Sequence, residues 1–281
     1  MNNFWARTIT GLLMVFILLA SLYISNWIFS GIFLVITILG LWEFYTLVTT
    51  EDCRPQRIYG TVAGAVLYCS IVLSSEMLLF SDAIPLKTVP IGIAMIIFFI
   101  PFILEIYRRQ AKPLMNVAVT IVGIFYISFP LGVLSILDRP GTVHFLGFPA
   151  FLLGYFIITW FSDTGAYLYG KQFGRHKLFE RISPKKTWEG TVAGIFIAFA
   201  TCFGLFFLVR DIALGDWLVL ACIVLIFGTL GDLAESLFKR SLNIKDSGSL
   251  LPGHGGILDR FDTIFLSAPF IFLYFILRNG I

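Results

Sequence analysis

Stretches with no charged residue, such as 11–24 and 91–103, recur along the whole chain. Surrounded by hydrocarbon, a backbone must pair its own N–H and C=O groups, and a helix of about 20 apolar residues does this within one segment. A transmembrane β-barrel would instead alternate apolar and polar residues in segments of about ten. The composition leads the same way: 58% of residues are hydrophobic and 13% charged, with a mean hydropathy of +0.90. A soluble domain carries about 25% charged residues on its water-facing surface, and disorder requires low hydrophobicity with high net charge. The expected fold class is therefore all-α, a polytopic integral membrane protein.

Nine spans are expected, at about 8–24, 27–48, 59–80, 88–107, 113–136, 145–169, 190–209, 214–236 and 262–279. The first is read as a helix rather than a signal peptide. Its apolar run exceeds the roughly 7–15 residues of a signal core, and no small-x-small cleavage site follows. With the N-terminus in the cytoplasm, only Lys87, Arg139, Arg210 and Arg278 of the 20 Lys and Arg fall outside. The excess of basic residues on the other side predicts that orientation. Residues 1–140 then hold about five spans, and 141–281 form a C-terminal catalytic region with cytoplasmic loops 170–189 and 237–261. Chemistry is expected in these loops and the adjoining helix ends.

Several features carry no function on this reading. Cys53, Cys69, Cys202 and Cys222 form no C-x-x-C pair and read as small packing residues. His144, His176 and His254 lack metal-ligand spacing. The pentapeptide Gly-Thr-Val-Ala-Gly occurs at 60–64 and 190–194. With four spans between them, both copies leave the cytoplasm in the same direction, unlike an inverted repeat. Small residues four apart predict close helix packing there. Glu43, Glu76 and Glu105 lie near helix ends and are expected to reach interfacial water, so replacing Glu43 should cost little activity.

An acidic group deeper in a span points to function by default, because burying its charge is costly. Asp163 makes a polar notch in the sixth span with Ser162 and Thr164; a binding role and a helix–helix hydrogen bond are both open. Asp232 and Glu235, at the end of the eighth span, are three apart and share a helix face, as do Asp259 and Asp262 at the start of the ninth. One span descends to the cytoplasm and the next returns, so the two acidic faces can meet. Converging carboxylates repel unless a cation lies between them. Oxygen-only ligands favour Mg²⁺, and the lack of His or thiolate partners disfavours zinc. The bland alternative is a set of surface salt bridges with Lys239, Arg240 and Arg260.

Between the two acidic pairs run Lys239-Arg240, Lys245-Asp246 and Pro252-Gly253-His254-Gly255-Gly256. Glycines let successive backbone N–H groups turn toward an anion, and the next helix presents its N-terminus to it. In the other loop, Ser183-Pro184-Lys185-Lys186-Thr187-Trp188-Glu189-Gly190 sets a carboxylate and a hydroxyl beside two lysines at a helix start. The six basic residues of 170–189 also make a surface attractive to anionic lipid headgroups. The whole reads as a phosphate–metal site at a membrane face, with no feature calling for nucleic acid.

Residues 236–262 resemble the signature of the phosphatidate cytidylyltransferase (CDP-diacylglycerol synthase) family. That signature is Ser-x-hydrophobic-Lys-Arg, then Lys-Asp, a Pro-x-His-Gly-Gly turn and Asp-Arg-x-Asp. Its fixed positions are matched by Ser236, Lys239, Arg240, Lys245, Asp246, His254, Gly255, Gly256, Asp259, Arg260 and Asp262. Residues 162–167 and 183–190 also resemble that family, whereas the first five spans are alike only in being hydrophobic.

The resemblance implies Mg²⁺-dependent transfer of CMP from CTP to phosphatidic acid, giving CDP-diacylglycerol and pyrophosphate, with a second cation as an open alternative. It implies Asp232, Asp259 and Asp262 as metal ligands, with Asp246 beside them. Lys239, Arg240, Lys245, Arg260 and the His254-Gly255-Gly256 turn become phosphate-binding candidates. Lys185, Lys186, Thr187 and Glu189 would complete a nucleotide pocket that Asp163 reaches. A homodimer in a bacterial inner membrane, with its site on the cytoplasmic face, is also implied. Two competitors stand beside this reading. A CTP-dependent lipid kinase of the dolichol-kinase type would attack the γ-phosphate. A secondary transporter of a phosphorylated substrate should line a path across the midplane with polar groups, but here they gather on one face.

Overall fold

A computed structural model describes residues 3–77, 84–137, 143–248 and 255–279. The chain divides into two compact units, Met1–Ile136 with Asp246–Phe261, and Leu137–Lys245 with Asp262–Ile281. The C-terminal region expected to run unbroken from 141 is thus interrupted, because 246–261 belong with the N-terminal helices.

The first unit contains α1 (Asn3–Ile24), α2 (Asn26–Val48), α3 (Arg57–Met77), α4 (Ile84–Arg108) and α5 (Pro113–Gly123). A π-helical turn, Ile124–Ser128, carries α5 into α6 (Phe129–Ser135). Ser25 caps α2 by accepting from the Trp27 N–H at 3.2 Å, and Pro113 starts α5, where a missing N–H costs nothing. Phe29, Phe33, Leu41 and Tyr45 of α2 are fully buried, as are Ile124, Ile127 and Leu131 around the π turn. Two tyrosines in this interior have their hydroxyls paired. The Tyr45 hydroxyl donates to Thr120 O at 2.6 Å and that of Tyr68 to Ser30 O at 2.8 Å.

Glu105 corrects one expectation. It does not reach interfacial water but is buried, accepting from Gln56 Nε2 at 2.8 Å, Asn116 Nδ2 at 2.7 Å and Arg108 Nη1 at 2.7 Å. A buried carboxylate needs such donors to offset lost hydration. The side chain of Glu76 lies outside the described residues.

The second unit begins with a two-residue antiparallel ladder, β1 (His144–Phe145) and β2 (Phe148–Pro149), leading into α7 (Ala150–Phe173). A hairpin of β3 (Lys177–Phe179) and β4 (Ser183–Thr187) precedes α8 (Trp188–Leu208). Then come α9 (Leu214–Ile223), a second π turn Val224–Gly228 and α10 (Thr229–Ser241). The last helix, α11 (Leu258–Asn279), starts in the first unit and runs on into the second. Trp217 and Tyr155 are fully buried in the second unit, and the Tyr155 hydroxyl pairs with Ser267 Oγ at 2.8 Å.

Each of the nine expected spans falls on a helical stretch among the described residues. Seven of these stretches are long and apolar enough to cross a bilayer. In α1 the apolar helix Thr10–Ile24 is shorter than these seven, and α7 carries the polar notch Ser162-Asp163-Thr164. The chain is an all-α polytopic membrane protein.

The two Gly-Thr-Val-Ala-Gly copies pack as their spacing predicts, each against the helix before it. A Cβ at Gly60 would overlap the Tyr45 ring, and one at Gly64 would overlap Leu41 and lie 2.6 Å from Ser128 Oγ. A Cβ at Gly190 would lie 2.6 Å from Ala166 O, and one at Gly194 would lie 3.1 Å from Ser162 O. By contrast, Gly204 on α8 has open space around it. Gly190→Val should therefore destabilise the α7–α8 pair by about 1–3 kcal/mol through overpacking, while Gly204→Ala leaves stability unchanged or raised. Thermal unfolding of both variants in detergent micelles checks this.

Candidate active site

The candidate site in the second unit grows from α10. Its spacing of three and four residues sets Asp232, Glu235 and Lys239 along one face. Asn243, in the left-handed region at φ 55°, ends the helix just beyond. Small residues then let α11 come close. A Cβ at Gly231 would stand 2.5 Å from Asp262 O, and one at Gly228 would stand 2.7 Å from Thr263 Cγ2. One turn away the Phe227 and Phe270 rings stack with centroids 3.5 Å apart. This approach gathers the carboxylates of Asp232, Glu235 and Asp262, which offer oxygens all within 4.8 Å of one another.

At about 4 Å and an effective dielectric of 20, two like charges repel by roughly 4 kcal/mol. Three such carboxylates need cations. Lys186 supplies one, its Nζ 2.5 Å from Asp232 Oδ2. Lys239 supplies another, paired with the buried Glu235. The Thr263 N–H donates to Asp262 Oδ1 at 2.7 Å, and Ser236 Oγ donates to Asp232 Oδ1 at 3.3 Å. Asp163 on α7 lies within electrostatic reach of Lys186, Asp232 and Asp262. Four carboxyl groups facing two ammonium groups make a site whose negative charge a divalent cation would neutralise. The donors are all carboxylate oxygens, which fits a hard cation such as Mg²⁺ and not zinc.

The β3–β4 hairpin separates two lysines that look equivalent in sequence. Successive strand residues point to opposite faces, so Lys186 turns to Asp232 while Lys185 is exposed. Thr187 and Glu189, expected in a nucleotide pocket, are engaged locally. The Thr187 hydroxyl is the N-cap of α8, accepting from the Gly190 N–H at 3.2 Å. Glu189 accepts from the Arg175 N–H at 3.1 Å and contacts His176 Nδ1 at 2.6 Å, tying the hairpin to α8.

In the first unit, the loop ahead of α11 is organised by carboxylates. Glu43, expected at interfacial water, is instead 5% exposed. It accepts from Ser247 Oγ at 2.5 Å, from the Ile257 N–H at 2.8 Å and from the Leu258 N–H at 3.2 Å. Asp259 Oδ2 accepts from the Ser247 and Gly256 N–H groups, each at 2.9 Å. Gly255 has φ 84°, a conformation only glycine adopts easily. His254 lies outside the described residues. Arg240, Lys245, Asp246 and Arg260 are exposed, and the Arg240 guanidinium donates to Ile244 O at 3.1 Å.

The pattern of the Cytidylyltransferase family matches residues 5–277. The chain belongs to the cytidylyltransferase family. It is 47% identical to a phosphatidate cytidylyltransferase of Staphylococcus aureus (strain COL) over 123 residues, 43% of this chain and 47% of that one. It is 39% identical to a phosphatidate cytidylyltransferase of Staphylococcus saprophyticus over 175 residues, 60% of this chain and 64% of the relative. A third, from Haemophilus influenzae, is 41% identical over 135 residues, 45% of this chain and 47% of the relative. The chain thus spans about half the length of the S. aureus and H. influenzae relatives it matches.

In this member of the family, three carboxylates gather. Asp232 and Asp262 come together with Glu235, and Asp259, in the first unit, accepts from loop amides through its Oδ2. The shared helix face of Asp232 and Glu235 was the signal for Glu235. Glu43 and Lys186's pairing had no sequence signal, since both depend on contacts between distant segments. Removing one carboxylate should cost at least the ~1.4 kcal/mol that corresponds to tenfold in affinity. Glu235→Gln is therefore expected to weaken Mn²⁺ binding, read by the paramagnetic resonance of the free ion. Asp211→Asn, on an exposed turn, should bind like the wild type.

Proposed function

We propose that this cytidylyltransferase transfers the CMP group of CTP to phosphatidic acid, releasing pyrophosphate and forming CDP-diacylglycerol. The observation that supports it most is the group of Asp232, Glu235 and Asp262 with Lys186 and Lys239, carried on helices apolar enough to span a bilayer. A lipid phosphate and a nucleoside triphosphate are both polyanions, and the main barrier to their reaction is mutual repulsion. A site with fixed ammonium groups and carboxylates suited to a divalent cation answers that problem.

In the reaction, an ionised phosphatidate oxygen forms a bond to the α-phosphorus of CTP. The bond from that phosphorus to the bridging oxygen breaks, and its electron pair leaves with pyrophosphate. The nucleophile carries no proton to remove, so no general base is needed. Lys186 and Lys239 place positive charge beside the carboxylates and attract the phosphates. Ser236 orients Asp232 through its hydroxyl, and Asp163 adds negative charge near Lys186. Mg²⁺ bound by Asp232, Glu235 and Asp262 would neutralise charge on the triphosphate. The turn at Gly255 is the candidate to meet a phosphate oxygen, since the N–H groups of Gly256, Ile257 and Leu258 are already donated to Asp259 and Glu43.

Assembly as a homodimer, placement in a bacterial inner membrane and a cytoplasm-facing site belong to the same proposal. The bacterial relatives support the membrane placement, and the excess of basic residues on one side supports the orientation.

Purified protein incubated with phosphatidate, Mg²⁺ and CTP labelled at the α-phosphate should pass label to the lipid. Label retained in CDP would instead indicate γ-phosphoryl transfer and overturn the proposal. Chelation by EDTA should abolish turnover, and added Mg²⁺ should restore it. Asp262→Asn should lower turnover on the order of 100-fold or more, the usual scale for losing one electrostatic group at a reacting centre. The protein should still insert, as judged by its yield in the membrane fraction.

A further inference from the structure

We infer that Glu43 is a positioning residue for the signature loop: from α2 it holds Ser247, Ile257 and Leu258 and thereby the Gly255–Gly256 turn. A carboxylate buried among apolar helices is costly unless donors replace its lost water. Glu43 finds all three of its hydrogen-bond donors in that loop, at Ser247, Ile257 and Leu258, more than two hundred positions along the chain. Two of these are amides at the start of α11, which have no acceptor within their own helix. A negative charge there also suits the helix dipole. Glu43 therefore caps a helix it does not belong to.

Asp259 closes the same loop from the other side, bridging the Ser247 and Gly256 amides. The two carboxylates pin both ends of the segment that carries the candidate phosphate-binding turn. Glu43 also accounts for a glycine. A Cβ at Gly256 would overlap Glu43 Oε1 and Ser247 Oγ, and one at Gly248 would stand 3.0 Å from Glu43 Oε2. Gly256 is thus required by the approach of this carboxylate, whatever anion the turn binds. Glutamine cannot replace it. Its single oxygen would serve one side, and its NH₂ group would face another donor. The helix held this way carries Asp262 one turn further on.

The kinetic consequence rests on the CTP–phosphatidate reading; the loop contacts do not. The test pairs hydrogen exchange with kinetics on the full chain in detergent micelles. In Glu43→Gln, exchange at amides 247 and 256–258 should rise about tenfold or more, as expected when hydrogen bonds to a charged group are lost. Amides of α7 and α8 should keep their wild-type rates. KM for CTP should rise by a similar factor while KM for phosphatidate stays put. Ser247→Ala, which removes one of the three donors, should shift KM for CTP the same way but less. If Glu43→Gln fails to insert, Ser247→Ala and Gly256→Ala carry the test through the same two readouts. Unchanged exchange in the loop, or a loss of active protein with both KM values unchanged, overturns the inference. A wild-type protein that makes no CDP-diacylglycerol would remove the activity reading, and the exchange arm would still decide the role of Glu43.

Discussion

Charge is expensive in an apolar interior, and Glu105, Asp216 and Glu43 are each matched there by a specific set of donors. A carboxylate removed from water loses several kcal/mol of hydration unless hydrogen bonds or cations replace it. Glu105 is met by Gln56, Asn116 and Arg108. Asp216 is met by the Tyr274 hydroxyl and the Arg278 guanidinium, each at 2.5 Å. Glu43 is met by the loop before α11. Asp232, Glu235 and Asp262 are different in kind: three carboxylates share one place, and the lysines beside them do not balance the charge. The first three arrangements build structure, whereas the last leaves negative charge over for a ligand to neutralise.

Close helix approach is the second requirement, and glycines meet it. Lipid offers no hydrophobic drive between helices, so contact comes from packing of backbone against backbone. Gly190 and Gly194 bring α8 onto α7 in this way, and Gly228 and Gly231 bring α11 onto α10. Without the second pair, Asp262 could not share a site with Asp232 and Glu235. The π turn Val224–Gly228 sits just ahead of α10, in keeping with the frequent occurrence of such turns near functional sites.

Much of the candidate site was legible because it lies on short-range patterns. Asp232 and Glu235 share a face by helical spacing, and Asp262 follows four residues into a helix whose start the loop announces. Lys186 and Lys185 were indistinguishable in sequence, because only the hairpin register decides which one turns to Asp232. Asp259 is undecided by sequence for a related reason. Its position in an Asp-Arg-x-Asp run says nothing about whether its oxygens face a cation or the amides of Ser247 and Gly256. Thr187 and Glu189 were likewise absorbed by the geometry of the α8 start.

Sequence alone determined that the chain is a bundle of membrane-spanning helices, since runs of apolar residues admit no other way to satisfy the backbone. It also located the chemistry, since the scarce charges cluster in two loops and the helix ends beside them. Tertiary structure decided which charges meet. The meeting of Asp262 with Asp232 and Glu235, the pairing of Lys186 rather than Lys185, and the burial of Glu43 depend on approach between segments far apart in the chain. Helical periodicity reports the face a residue occupies and carries no information about which distant segment packs against it.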